Sequence, residues 1–222
     1  MKNAQEYEFD ISNEDDNFIN GIDKEDNAGF AIGDHIIAIP EVHFNQIIPE
    51  NLLDLIIDEV ENKPEITFNA GQIGNELGSV QDDEIRKCET SKLNGFHWAC
   101  SIFYHYMDIA NDQVWQYDLS HVEEVQVTRY EQGGHYTWHS DYGVSSTKKY
   151  TRKLSASLIL SDPSEYEGGK LQLVDYFNNI IEPVQTKGSL IVFDSRIPHR
   201  VTPVTKGQRI SLVSWMLGPK LR

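Results

Sequence analysis

Cysteine is scarce: Cys88 and Cys100 are the two thiols in 222 residues. Two cannot build a disulfide framework or a cysteine-rich zinc site, so the expected setting is a reducing cytoplasm with both thiols free. Long hydrophobic runs are missing too. No stretch of about 18 apolar residues occurs, which excludes a transmembrane helix. The opening residues, MKNAQEYEFDISNEDDNF, are polar and acidic, unlike a secretory signal or a transit peptide. Basic residues are in short supply, 19 Lys and Arg against 35 Asp and Glu, for a formal charge of −16. Phosphate contacts need cations, so neither nucleic acid nor an anionic membrane surface is an expected partner.

What is present suits one folded domain. The chain is 39% hydrophobic and 10% aromatic, enough for a sizeable core. Residues 1–35 carry ten acids and two lysines, half of the net charge, with little apolar periodicity. They read as a flexible acidic arm, and residues 36–222 as a single domain. Residues 36–48 hold a short apolar strand broken by Pro40. Leu52, Leu53, Ile56, Ile57 and Val60 recur at helical spacing behind Pro49, predicting a helix over 49–61. A second helix is predicted over 97–110, with Trp98, Ile102, Tyr106 and Ile109 on one face. From residue 121 the pattern changes to short strands and turns: VEEVQVTRY, HYTWHSDY, KLSASLILS, KLQLVDY, SLIVFDS, HRVTPV and RISLVSWML. Strands of this length and spacing predict an antiparallel sandwich or barrel.

One pair in those strands carries chemistry. His139 and Asp141 lie two apart in an extended segment, so both side chains point to one face. A third metal ligand must come from elsewhere, and His199, after the Ser189–Phe193 strand and Pro198, is the best candidate. Two imidazoles and a carboxylate leave half of an octahedron open, as in non-haem Fe(II) oxygenases, although zinc accepts the same donors. Arg209 follows His199 by ten residues and shares a strand face with Ser211, Val213 and Trp215. If that face lines the interior, its guanidinium is a buried cation in need of an anion, supplied either by an internal Asp or Glu or by a bound dicarboxylate. Tyr130 precedes His139 by nine residues and offers a hydroxyl to the same pocket. Tyr136, Trp138 and Tyr142 are candidates for an apolar wall, and 142–151 and 65–94 for loops over the mouth.

Taken in order, RYEQGGHYTWHSDY, RKLSASLILSDPSEYEGGKLQL and KGSLIVFDSRIPHRVTPVTKGQRISLVSWM resemble the prolyl 4-hydroxylase branch of the 2-oxoglutarate- and Fe(II)-dependent oxygenases. The resemblance covers about residues 121–217. It implies a mainly β, α+β fold: a double-stranded β-helix of jelly-roll or cupin type, buttressed by N-terminal helices. It implies that His139, Asp141 and His199 hold Fe(II). Arg209 would bind the distal carboxylate of 2-oxoglutarate with help from Tyr130. Arg152 and Trp215 match positions that touch the peptide around the target proline. The implied reaction consumes O2 and 2-oxoglutarate, releases succinate and CO2, and hydroxylates a proline in a protein or peptide; ascorbate is a further family expectation. A free amino acid, a lysyl residue or another small molecule is the alternative substrate, and a non-catalytic jelly-roll binder the alternative class. Two features depart from the prolyl pattern. Ile159 stands where many animal intracellular members have a cosubstrate-binding Tyr, and LSASLILSDPSEYEGG also resembles bacterial hydroxylases of undefined substrate.

Overall fold

The computed structural model describes residues 31–32, 35–36, 39–46, 48–62, 66–75, 78–95, 97–143 and 149–220. The acidic arm expected over 1–35 falls almost entirely outside them, and so does the centre of the loop expected over 142–151.

Two antiparallel sheets face one another. Their strands, in chain order, are β1 (Glu41–Phe44), β2 (Asn69–Ala70), β3 (Arg86–Lys87), β4 (Glu89–Lys92), β5 (Gln126–Tyr130), β6 (His135–His139), β7 (Tyr150–Ile159), β8 (Leu171–Val174), β9 (Ile180–Ile181), β10 (Leu190–Asp194), β11 (His199–Val201) and β12 (Arg209–Pro219). The larger sheet runs β1-β10-β7-β12-β5-β4-β2, with His121–Val122 adding to β12. The smaller runs β9-β8-β11-β6-β3. This is the antiparallel sandwich that the strand pattern predicts, in the jelly-roll form that the resemblance implies.

Helices α1 (Glu50–Asn62) and α2 (Ala99–Ala110) cover the outer face of the larger sheet. Pro49 starts α1 from just outside it, its carbonyl accepting the Leu52 and Leu53 amides at 2.9 and 3.1 Å. Leu53, Ile56 and Val60 are the residues that α1 buries. On α2 the most deeply buried residues are Ala99, Phe103, Met107 and Ala110, one step round from the expected stripe. Trp98, Ile102, Tyr106 and Ile109 flank them, half-buried against the same core. The apolar arc of α2 is thus wider than one stripe. A π-helical turn, Asn111–Trp115, extends α2.

Alternation along the long strands divides two environments. On β7, Leu154, Ala156 and Leu158 pack under the helices, while Ser155, Ser157 and Ile159 face the smaller sheet. On β12, Ile210, Leu212 and Met216 belong to the helix-covered core, and Arg209, Ser211, Val213 and Trp215 line a cavity of about 900 Å³ between the sheets. The larger sheet thus buries apolar side chains under the helices on one side and presents Ser155, Ser157, Arg209 and Ser211 to the interior on the other, where Ile159, Ile191 and Phe193 pack against Leu171 and Leu173 of the smaller sheet.

Candidate metal centre

His139 closes β6 and pairs directly with His199, the first residue of β11. Their ring centroids lie 4.2 Å apart. The strand ends before Asp141, so period-two alternation alone does not aim that carboxylate. Instead the amides of Asp141 and Tyr142 both donate to the Ser195 carbonyl at 2.9 Å, tying the segment to the end of β10. The result places Asp141 Oδ2 at 3.4 Å from His199 Nε2, and Oδ1 at 3.9 Å from His139 Nε2. One donor atom from each of the three residues lies within 4.8 Å of the others, the spacing of a cluster that can close on a single ion.

The surroundings prepare these donors. His139 Nδ1 bonds the Thr137 carbonyl at 2.8 Å and His199 Nδ1 bonds the Ile197 carbonyl at 3.0 Å. A carbonyl only accepts, so Nδ1 carries the hydrogen and Nε2 keeps its lone pair for the cluster. Burial, and then the neighbouring His199, push the His139 pKa down from 6.5 to about 3, so its imidazole is neutral at physiological pH. Burial alone would raise the Asp141 carboxyl. His199, His139 and Arg152 outweigh it and hold the group well below the usual carboxylate range. A neutral His139 imidazole beside an ionised carboxylate suits metal binding.

Asp141 is held by three further side chains. Trp215 Nε1 donates to Oδ2 at 2.8 Å and Ser155 Oγ donates to the same oxygen at 2.9 Å. Arg152 Nη1 approaches Oδ1 at 3.8 Å. The Arg152 guanidinium stacks over the Trp215 ring at 3.6 Å and pairs with Glu123 at 2.6 Å. The two residues that the resemblance assigned to a peptide therefore also clamp the carboxylate of the cluster, and both line the cavity. Arg152 reaches it through a β-bulge: the β7–β12 register slips between Arg152 and Leu154. A second bulge, between Tyr136 and His139, brings those side chains face to face although they are three apart, their rings stacked at 3.5 Å.

Arg209 is 1% exposed, and no carboxylate among the described residues pairs with it. Among the described residues, then, no internal ion pair accounts for this cation. Nη1 donates to Ser211 Oγ at 2.9 Å, whereas the buried Nε has no partner. Tyr130 stands opposite Arg209 in the β5–β12 register, its ring 5.7 Å from the guanidinium carbon. Burial raises its phenol pKa above the usual value, so it stays a neutral donor. Gly169 permits the close packing here: it has φ +60°, and a Cβ would meet Val204 Cγ2 at 2.9 Å and Arg209 Cδ at 3.1 Å. A buried guanidinium with an orphaned donor, facing the same cavity as the triad, fits a ligand that chelates a metal at one end and presents a carboxylate at the other.

Of the expected wall, Tyr136 lines the cavity, while Trp138 and Tyr142, 37% and 36% exposed, do not. The segment 65–94 does border the cavity, through Gln72, Ile85 and Arg86 among others. Reading the sequence missed Ser155 and Arg86. Ser155 had a signal, since the alternation in KLSASLIL sets two serines on an inward face. Arg86 had none, because β3 is two residues long and owes its place to pairing with β6.

Residues 125–217 match the family model of the 2OG-Fe(II) oxygenase superfamily. A PKHD-type hydroxylase of Aliarcobacter butzleri (strain RM4018) is 36% identical over 100 residues, 43% of this chain and 44% of that protein. Another, of Janthinobacterium sp. (strain Marseille), is 38% identical over 92 residues, 40% of each chain. The chain thus spans less than half the length of these curated relatives. Solved structures share the fold. A Pseudomonas putida prolyl-4-hydroxylase superimposes with TM-score 0.62 at 21% identity, over 82% of this chain and 94% of that one. A Trichoplax adhaerens prolyl hydroxylase, solved with a peptide fragment of hypoxia inducible factor, gives TM-score 0.62 at 18% identity, over 80% and 83%. A non-heme alpha ketoglutarate dependent carbocyclase from nogalamycin biosynthesis gives TM-score 0.60 at 13% identity, over 81% and 79%. The triad and the matched family support Fe(II) and 2-oxoglutarate as the groups this site takes. Over residues 125–217 the chain is similar to the 2OG-Fe(II) oxygenase superfamily, and its fold is the jelly roll shared by prolyl 4-hydroxylases of known structure.

Proposed function

We propose that the chain is a 2-oxoglutarate- and Fe(II)-dependent dioxygenase that hydroxylates a proline in a protein or peptide. The observation that carries the oxygenase reading is the pairing, in one cavity, of the His139–Asp141–His199 cluster with a buried Arg209 that no described carboxylate pairs with. In this reading His139, Asp141 and His199 hold the ion through Nε2, a carboxylate oxygen and Nε2. Bound there with 2-oxoglutarate, Fe(II) supplies O2 activation coupled to oxidative decarboxylation, with one oxygen atom going to a C–H bond and the other to succinate.

The protein's part is orientation and enclosure. Arg209 and Ser211 receive the distal carboxylate, and Tyr130 offers its hydroxyl beside them. Ile159 is fully buried and apolar, so it donates nothing, and Tyr130, opposite Arg209, is the phenol given this role. The Thr137 and Ile197 carbonyls fix both imidazole tautomers. Ser155 and Trp215 occupy Asp141 Oδ2 and leave Oδ1 free of their bonds. The Tyr136 and Phe193 rings, the latter 4.7 Å from His199, shield the imidazoles from water.

Proline as the target is supported by the likeness to prolyl hydroxylases and by Arg152 and Trp215 on the cavity wall. A second reading, a free amino acid or other small molecule, is favoured by one observation. The Trp215 indole N–H and the Arg152 guanidinium are already engaged by Asp141 and Glu123, which leaves them less to offer a peptide. Incubation with Fe(II), 2-oxoglutarate and a panel of proline peptides is expected to yield succinate and a mass gain of one oxygen on proline. Succinate without modified proline would point to the second reading. No 2-oxoglutarate binding, or turnover unaffected by His139→Ala, would end both.

A further inference from the structure

The cavity wall carries a cation that the proposed reaction does not use. Arg86 pairs with Tyr136 across the β3–β6 ladder, and its guanidinium carbon lies 4.7 Å from the Tyr136 ring centroid. That same ring stacks on His139. Arg86 Nε donates to Cys88 Sγ at 3.2 Å and Nη1 donates to the Gln72 carbonyl at 2.8 Å. Nη2 makes no hydrogen bond to any described residue, and none of the described carboxylates pairs with the side chain.

The other cations of the wall have partners. Glu123 pairs with Arg152 at 2.6 Å and Glu124 with Lys92 at 3.1 Å. The distal carboxylate of 2-oxoglutarate is assigned to Arg209. Around Arg86 stand a thiol, Cys88, and two phenols, Tyr130 and Tyr136. With ordinary pKa values of about 8.5 and about 10 these are neutral at pH 7, and burial raises Cys88 further. Acids outnumber bases 35 to 19 in this chain, yet none of the described ones pairs with this guanidinium. Asp141, the carboxylate on the cavity wall, is engaged by Ser155, Trp215 and Arg152, so a half-buried, forked donor at Arg86 is suited to a carboxylate that arrives from outside.

We propose that Arg86 anchors a carboxylate of the substrate itself, so that the preferred substrate is acidic next to the reacting carbon. The carboxylate belongs to an Asp or Glu neighbouring the target residue in a peptide, or to the α-carboxyl of a free amino acid. This rests on the oxygenase reading above and names the substrate class for the same site. Tyr136, touching both Arg86 and His139, sets the reach: one ring separates the anchoring point from the metal cluster.

The test compares matched acid and amide probes against the protein loaded with Mn(II) and 2-oxoglutarate under argon, so that binding is read without turnover. The probes are proline peptides with Glu or Gln on either side of the proline, a lysine peptide with the same exchange, and L-proline against L-prolinamide. The acid of at least one pair is expected to bind about 10- to 100-fold more tightly. Which pair discriminates tells a peptide side chain from an α-carboxyl. Arg86→Gln should erase the difference and Arg86→Lys should retain part of it. Equal affinities in every pair for the wild type, or a preference that survives Arg86→Gln, would overturn the proposal. Failure of the oxygenase reading shows separately, as wild-type protein that does not bind 2-oxoglutarate.

Discussion

Asp141 Oδ2 accepts from two side chains remote in sequence, Ser155 and Trp215. Bonds of this kind orient a ligand and tune its basicity without touching the ion. Trp215→Phe keeps the ring over Arg152 and removes the indole N–H. It should weaken Fe(II) or Mn(II) binding about 10- to 100-fold while leaving the melting temperature of the metal-free protein nearly unchanged. Titration of the metal, followed by tryptophan-independent calorimetry, checks this; equal affinity would assign Trp215 to substrate alone. His139, Asp141, His199 and Arg209 were all legible from residue type and order. The partners of Asp141 were not, because side chains that converge from β7 and β12 leave no mark of their pairing in the linear chain.

Among the elements, β1 carries an electrostatic load. Glu41 Oε2 and His43 Nε2, two apart on this edge strand, are buried without partners. Burial raises the Glu41 pKa from 4.5 to about 7 and lowers that of His43. A raised carboxyl pKa means that Glu41's contribution is fully present below pH 4.5 and is lost as pH climbs through about 7. His43 acts oppositely, its contribution being lost as pH falls below 6.5. Glu41→Gln should therefore match the wild type at pH 4 and exceed it at pH 8 by on the order of 1–3 kcal/mol in urea denaturation, isolating the Glu41 part. A constant difference across that range would show that the carboxyl is hydrated. The turn before β8 makes a second prediction. Gly169→Ala places a Cβ at positive φ against Val204 and Arg209, and should cost about 1–3 kcal/mol with a parallel loss of 2-oxoglutarate affinity. Strand identities were legible from alternation. The two bulges that turn Arg152 and Tyr136 into the cavity were not, since a bulge is one residue out of phase and depends on the partner strand.

At the scale of the whole molecule, the centre joins the two sheets: His139 and His199 come from the smaller, while Asp141 is held by side chains of the larger. A ligand bound there couples the two halves and should stabilise the fold. Mn(II) at 100 times its dissociation constant is expected to add about 2.7 kcal/mol to unfolding, and His139→Ala to abolish that gain. The architecture was legible because strands of this length and rhythm admit few arrangements. The contribution of residues 66–92 was not, as its pairs are too short to show periodicity and become strands only by adding to edges that already exist. No helix among the described residues is long and apolar enough to cross a membrane.

Both imidazoles are locked by main-chain carbonyls before any ion arrives. A pocket of two oriented imidazoles and a carboxylate discriminates poorly among divalent ions, and intrinsic affinity rises from Fe(II) through Ni(II) to Cu(II), with Zn(II) also above Fe(II). Occupancy is then decided by supply: protein expressed in zinc- or nickel-rich medium should emerge loaded with an inert ion and recover only after chelation and anaerobic iron. The cell's metal buffering, as much as the polypeptide, selects the working form.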